Sequence, residues 1–224
     1  MYPAVKRLFD FLLALILILL LIPVWLPIML VLFLTGEHYV FYLQNRIGKD
    51  QKVFKIWKYA TMLKNSPGIG TGSITLRNDP RVTKVGKFLR KTKINELPQL
   101  INVLIGNMSF VGPRPQMKVD FDIYTDTVKE AISQMKPGIT GLGSIFFRDE
   151  EEDLSNAMDP RAYYVDVIAP RKGSLEVWYL NHFSFMTDMK LLLLTLIVIV
   201  FPKHNSIIYS FFPDQIINDF ALNK

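Results

Sequence analysis

Phe11 to Leu34 reads FLLALILILLLIPVWLPIMLVLFL, twenty-four residues without a charge. A helix rises ~1.5 Å per residue, so this run matches the ~30 Å hydrocarbon layer of a bilayer. Pro23 and Pro27 sit near its middle. Each removes a backbone donor and crowds the preceding turn, which predicts a break there. Cations flank the run on both sides: Lys6 and Arg7 before it, then Arg46, Lys49, Lys52, Lys55 and Lys58. The positive-inside tendency places both flanks in the cytoplasm, so the expected form is a re-entrant helix that enters and leaves by one face. Asp10, at the edge of the run, is expected near the interface and paired with Arg7. No small-residue cleavage pattern closes the run before Gly36-Glu37-His38, so it is expected to be retained rather than removed as a signal peptide.

Outside this run the chain is less apolar, although half of its 224 residues are hydrophobic. A net charge of +6 favours anionic partners: phospholipid headgroups, nucleotides or nucleic acid. The basic residues gather beside the membrane element without aromatic interleaving, which argues against nucleic acid. With no cysteine, disulfides and thiolate metal sites are excluded. His38, His182 and His204 have no spacing that suggests a metal site or a triad.

Two strand-like stretches, YVFYLQ and VFKIW, flank the polar turn RIGKDQ and predict a hairpin within residues 39–62. Pro67, Gly68, Gly70 and Gly72 mark a loop over 65–80 that fits no phosphate-loop spacing. In NELPQLINVLIG the residues Leu97, Leu100, Ile101 and Leu104 share one helix face, with Asn95 as the expected N-cap and Gly106 closing the end. Lys84, Lys87, Arg90, Lys91 and Lys93 precede this helix. A basic run feeding a positive helix end suits a phosphate, and equally suits a solvated face. In VGPRP, two prolines stiffen the loop that carries Arg114, whose guanidinium can grip phosphate in bidentate fashion. The acidic run Asp149 to Asp153, after Arg148, is expected to be solvated, because no metal-ligand spacing is evident. Leu191 to Phe201 is too short to span a bilayer and is expected to be a core helix or an interfacial segment, with Tyr209, Phe211 and Phe212 suited to the headgroup zone.

Taken in order, these residues resemble the bacterial sugar transferase family, the monotopic phosphoglycosyl transferases. The likeness runs through Lys6-Arg7-Leu8-Phe9-Asp10, Pro23, Gln44-Asn45-Arg46-Ile47-Gly48, Phe54-Lys55-Ile56-Trp57-Lys58 and Asp79-Pro80-Arg81. It continues through Phe88-Leu89-Arg90-Lys91-Thr92, Glu96-Leu97-Pro98-Gln99-Leu100, Met108 to Pro115, Lys136 to Gly141, Ser184 and Asp188. The resemblance implies a mixed α/β monotopic membrane protein with three parts: a re-entrant broken helix over 1–36, a cytoplasmic transferase domain with amphipathic interfacial helices over 37–202, and a tail over 203–224. The implied setting is the bacterial inner membrane, with the catalytic domain facing the cytoplasm. The implied reaction moves a sugar 1-phosphate from a nucleotide diphosphate sugar to polyprenyl phosphate with Mg²⁺. The implied partners, besides the bilayer and these substrates, are downstream glycosyltransferases or a second copy.

The resemblance also implies an Asp-Glu dyad whose Asp attacks phosphorus, and here that position is Asn95. An amide carries no charge and its lone pair is delocalised, so it cannot take the nucleophile's part. Ala60 and Glu176 are lesser departures. Three readings stay open: Glu96 acts as nucleophile or base; the lipid phosphate attacks directly; or the chain binds carrier lipid or a partner enzyme without catalysis. The expected roles are Glu96 for metal and chemistry, Arg114 for catalysis and diphosphate, Arg81 and Arg90 for diphosphate, and Lys58 and Arg148 for either phosphate. Lys6, Arg7, Asp10, Pro23 and Pro27 are assigned to the membrane element.

Overall fold

In a computed structural model, residues 2–66, 75–76 and 78–201 are described. The glycine-rich stretch 67–74, His204, the aromatic residues after 202 and the 203–224 tail lie outside them. Helix α1 (Tyr2–Leu34) carries the apolar run, and it is long and apolar enough to cross a membrane by length and composition. The expected interruption is absent: the helical conformation continues through both prolines. Pro23 and Pro27 are exposed and four residues apart, so the bonds they remove lie on the outward face. The opposite stripe (Asp10, Ala14, Leu17, Leu21, Trp25, Ile28 and Leu32) recurs every three or four residues and packs on the domain. Leu8, Leu12, Leu19, Leu26, Leu30 and Phe33 point away and are exposed.

Both ends of α1 are tied down. Near its start, Asp188 accepts hydrogen bonds from Tyr2, from Lys6 Nζ at 2.5 Å and from Tyr179 at 2.5 Å. Arg7 donates to the carbonyls of Val103 and Leu104 at 2.6 and 2.8 Å, and Asp10 accepts the Phe110 amide at 3.2 Å. The expected Arg7–Asp10 pair therefore gives way to separate partners: the open C-terminal carbonyls of a helix attract the guanidinium. Near the end of α1, Leu32 packs with Tyr59 and Leu89, and Trp25 meets the Tyr59 ring edge-on at 6.4 Å.

Strands β1 (Phe41–Ile47) and β2 (Val53–Tyr59) form the expected antiparallel hairpin, with Phe41 opposite Tyr59 and Ile47 opposite Val53. Helix α2 (Lys84–Lys91) starts at Thr83, whose hydroxyl caps Gly86 N at 3.0 Å. Helix α3 (Gln99–Ile105) ends at Gly106, which takes φ 92° as expected of a closing glycine. Its start differs from expectation. Asn95 lies inside a 3-10 turn, Ile94–Glu96, and Pro98 occupies the N-cap position. Proline has no N–H to bond Ile94, so the preceding turn closes with three-residue bonds such as Leu97 N to Ile94 O, 3.0 Å.

Strand β3 (Ser109–Val111) leads to α4 (Lys118–Phe121) and α5 (Asp126–Ser133), then pairs in parallel with β4 (Gly138–Thr140). Helices α6 (Leu142–Phe146), α7 (Glu150–Asn156) and α8 (Pro160–Tyr163) follow. A π-helical turn, Tyr164–Ile168, joins α8 to α9 (Ala169–Asn181). Helix α10 (Phe185–Val200), capped by Ser184, absorbs the second apolar stretch and starts six residues before it. Leu191 and Leu194 face the core, as a core helix requires, while Leu193, Leu196, Ile199 and Val200 form an exposed apolar face.

Candidate active site

The hairpin, the 3-10 turn and the loop after β3 bring three expected residues together. Glu96 Oε1 lies 3.6 Å from Lys58 Nζ of β2 and 4.0 Å from an Arg114 guanidinium nitrogen. Asn102, fully buried on α3, fixes this spacing. Its Oδ1 accepts Trp57 N at 2.9 Å and its Nδ2 donates to Lys55 O at 2.8 Å, so α3 grips the open edge of β2 beside Lys58. Arg46, on β1, adds a third cation. It donates to Gln44 Oε1 at 3.1 and 2.5 Å and to Pro115 O at 3.1 Å, which ties the hairpin to the Arg114 loop.

The electrostatics follow from this crowding. Burial alone would raise the Glu96 carboxyl, but Lys58, Arg114 and Lys93 outweigh it and hold the group at about 2, so it is ionised at neutral pH. Burial pushes Lys58 down to about 7. Glu96 opposes the fall, and Arg46, Arg114 and Arg90 add to it. Burial also lowers Arg46, to about 10, with Arg114 contributing. The site is a cationic recess around one carboxylate, built to receive an anion with more than one negative charge.

Other expected residues lie elsewhere. Arg81 is buried and grips Asp79, with Nη2 to Oδ2 at 2.6 Å and Nε to both oxygens, and also donates to Ser66 O. These contacts close the chain before α2. Arg90 pairs with Glu151 of α7. Arg148 donates to Asp149 at 3.2 Å and to Val198 O at 3.3 Å. The acidic run is thus partly engaged rather than wholly solvated: Glu151 holds Arg90 and Glu150 holds Lys172 at 2.5 Å. Asn95 is buried, and its Oδ1 has no hydrogen-bond partner among the described residues.

With this geometry in place, the comparisons with known proteins fall into one class. The bacterial sugar transferase model matches residues 1–202. The chain belongs to the bacterial sugar transferase family. Among its relatives, the UDP-glucose:undecaprenyl-phosphate glucose-1-phosphate transferase of Escherichia coli is 36% identical over 85% of this chain and 39% of that protein. The undecaprenyl-phosphate galactose phosphotransferase of Salmonella typhimurium is 30% identical over 87% of this chain and 40% of its own length. The exopolysaccharide production protein PSS of Rhizobium leguminosarum is 33% identical over 86% of this chain and 93% of its own. This sugar transferase chain therefore spans about two fifths of the two transferases and nearly all of the third.

Arg46 was missed as a site residue by sequence reasoning. Its signal was available: it lies on a strand two residues from Gln44, in a segment that ends at the turn before Lys58.

Proposed function

We propose that the chain transfers a sugar 1-phosphate from a nucleotide diphosphate sugar to polyprenyl phosphate, initiating a polysaccharide or glycoconjugate at the cytoplasmic face of the inner membrane. The carrying observation is the ionised Glu96 carboxylate with Lys58 at 3.6 Å and Arg114 at 4.0 Å, beside a long apolar helix. The recess suits a diphosphate, and the apolar helix suits a lipid-borne acceptor. The names of the Escherichia coli and Salmonella typhimurium relatives support the same chemistry with two different sugars.

The charge state of Glu96 favours direct transfer. A carboxylate held at about 2 and faced by two cations is a weak nucleophile and a weak base. An oxygen of the lipid phosphate attacks the phosphorus that bears the sugar. The bond from that phosphorus to the bridging oxygen breaks, and the nucleoside monophosphate leaves with the bridging oxygen. Lys58 and Arg114 balance the charge on the equatorial oxygens, and Glu96 keeps both in place. The donors present fit Mg²⁺ in its usual mode, with one or two protein oxygens and the rest from substrate phosphates. Glu96 offers a carboxylate, and the neighbouring Asn95 Oδ1 is a buried oxygen without a partner among the described residues. Bound there, the ion would neutralise phosphate charge.

Both flanks of α1 on the cytoplasmic side are part of this proposal; the ties of both ends of the unbroken α1 to one domain support this one-sided arrangement, with the exposed apolar face of the helix turned to lipid. Extension of a lipid-linked product calls for a glycosyltransferase, so such an enzyme or a second copy of the chain is the proposed partner. The test is nucleoside monophosphate release by purified, detergent-solubilised protein given polyprenyl phosphate, Mg²⁺ and a panel of nucleotide sugars. Release should require the lipid and fall at least ~100-fold in Glu96→Gln. No release from folded protein that still binds the lipid would overturn the catalytic reading in favour of the non-catalytic one, for which Asn95 speaks.

A further inference from the structure

Behind the Arg114 loop lies a carboxyl group that the transfer chemistry does not use. Glu176, on α9, is only 5% exposed. Its Oε1 accepts the backbone N–H of Arg114 at 3.3 Å. The same oxygen presses on Gly143, where a Cβ would come within 2.6 Å of it. Its Oε2 is buried without a hydrogen-bond partner among the described residues. The rest of the loop is held through its main chain. Gly112 N bonds Thr140 O at 3.0 Å, Gly138 N bonds Pro113 O at 2.9 Å, and Ile47 N bonds Gln116 O at 2.9 Å. Glu176 supplies the side chain that holds the amide of Arg114 itself.

We propose that Glu176 is a positioning residue for the transfer: it braces the Arg114 amide from behind and sets, by its own charge, how strongly Arg114 attracts a diphosphate. The inference rests on the transfer reading above. The groups facing Glu176 are Arg114 from the loop, Lys172 and Tyr179 from α9 itself, and Tyr124 from the segment before α5. Glu150 of α7 acts on it through Lys172, whose charge it pairs at 2.5 Å. Burial pushes Glu176 up to about 7, against the pull of the Arg114 amide and Lys172. Below that pH the carboxyl is a neutral acceptor and leaves Arg114's charge to the ligand. Above it, an anion behind Arg114 competes with the phosphate.

The test uses the full-length, detergent-solubilised protein and inorganic pyrophosphate, the diphosphate chemistry shared by nucleotide sugars, with affinity measured by calorimetry from pH 6 to 8.5. Wild type should lose at least about fivefold more affinity over this range than Glu176→Gln, since coupled sites typically shift one another's affinity by fivefold or more. Pyrophosphate and Lys58 also titrate here, but equally in both proteins, so the ratio isolates Glu176. At pH 6 the Gln variant should bind within about twofold of wild type, because it keeps the acceptor. Glu176→Ala, verified as folded by its unfolding transition, should bind about tenfold more weakly than wild type at pH 6, because the Arg114 amide loses its partner, and should show the shallower pH profile of the Gln variant, because the competing charge is gone. Parallel pH profiles for wild type and Gln, or wild-type binding by Ala at pH 6, would overturn the proposal. Absence of nucleotide release in the transfer assay, with these profiles intact, would remove the transfer reading and leave the Glu176–Arg114 coupling standing.

Discussion

At the residue scale, Asn95 separates what the chain keeps from what it lacks. Its amide sits in a tight turn before Glu96, buried, with Oδ1 unsatisfied among the described residues. Asn95→Asp places a carboxylate there. Protein mixed with nucleotide sugar but no lipid should then gain the mass of a sugar phosphate, while wild type should not, as read by intact-protein mass spectrometry. Lys58 governs the pH response. Because its folded value lies near 7, its cation is lost as pH rises through 7, and turnover should fall there. Lys58→Arg should reduce that fall, as read from initial rates across pH 6–9. Stability moves the other way. Between about 7 and 10.5 the unfolded chain binds more protons at this site than the folded one, so the fold gains stability with rising pH while activity is lost. The sequence made Glu96, Lys58 and Arg114 visible as residue types, but not which cations would gather. Arg81 is chemically the same as Arg114, yet Asp79, two residues upstream, claims it, and Asp79-Pro80-Arg81 could have been read as a local pair.

At the element scale, the legible features were those fixed by short-range chemistry. The hairpin followed from two β-rich stretches around a polar turn, and the end of α3 from Gly106. The start of α3 was misread because Asn is a good cap in isolation, whereas Pro98 changed the hydrogen-bond pattern ahead of it. Helix α2 was not foreseen as a unit, since its basic residues obscured a tight packing point. An added Cβ at Gly86 would sit 2.1 Å from Thr61 O. Backbone cannot yield as a flexible side chain does, so Gly86→Ala should destabilise the protein by ~2 kcal/mol or more, seen as a lower denaturation midpoint with an unchanged slope. The π-helical turn Tyr164–Ile168 also had no sequence signal; it places the Tyr164 ring 5.5 Å from Lys172 Nζ.

At the scale of the whole molecule, the proposed membrane attachment turns on the exposed apolar faces of α1 and α10. Single cysteines introduced at Ala4 and Glu37, on the two flanks of the apolar run, should be labelled by a membrane-impermeant reagent from the same side of sealed inverted vesicles. Labelling from opposite sides would remove the one-sided arrangement. The length of the apolar run announced a membrane element, whereas its lengthwise docking depended on partners far along the chain, which no local pattern encodes. That distance has a consequence for synthesis. The Lys6–Asp188 bond joins residues 182 positions apart. At ~5–20 residues per second, Asp188 leaves the ribosome on the order of ten to forty seconds after Lys6. Throughout that interval the domain that the apolar segment lies against is incomplete. The nascent chain must therefore meet lipid or a chaperone first, and the globular part assembles around a helix already delivered to the membrane.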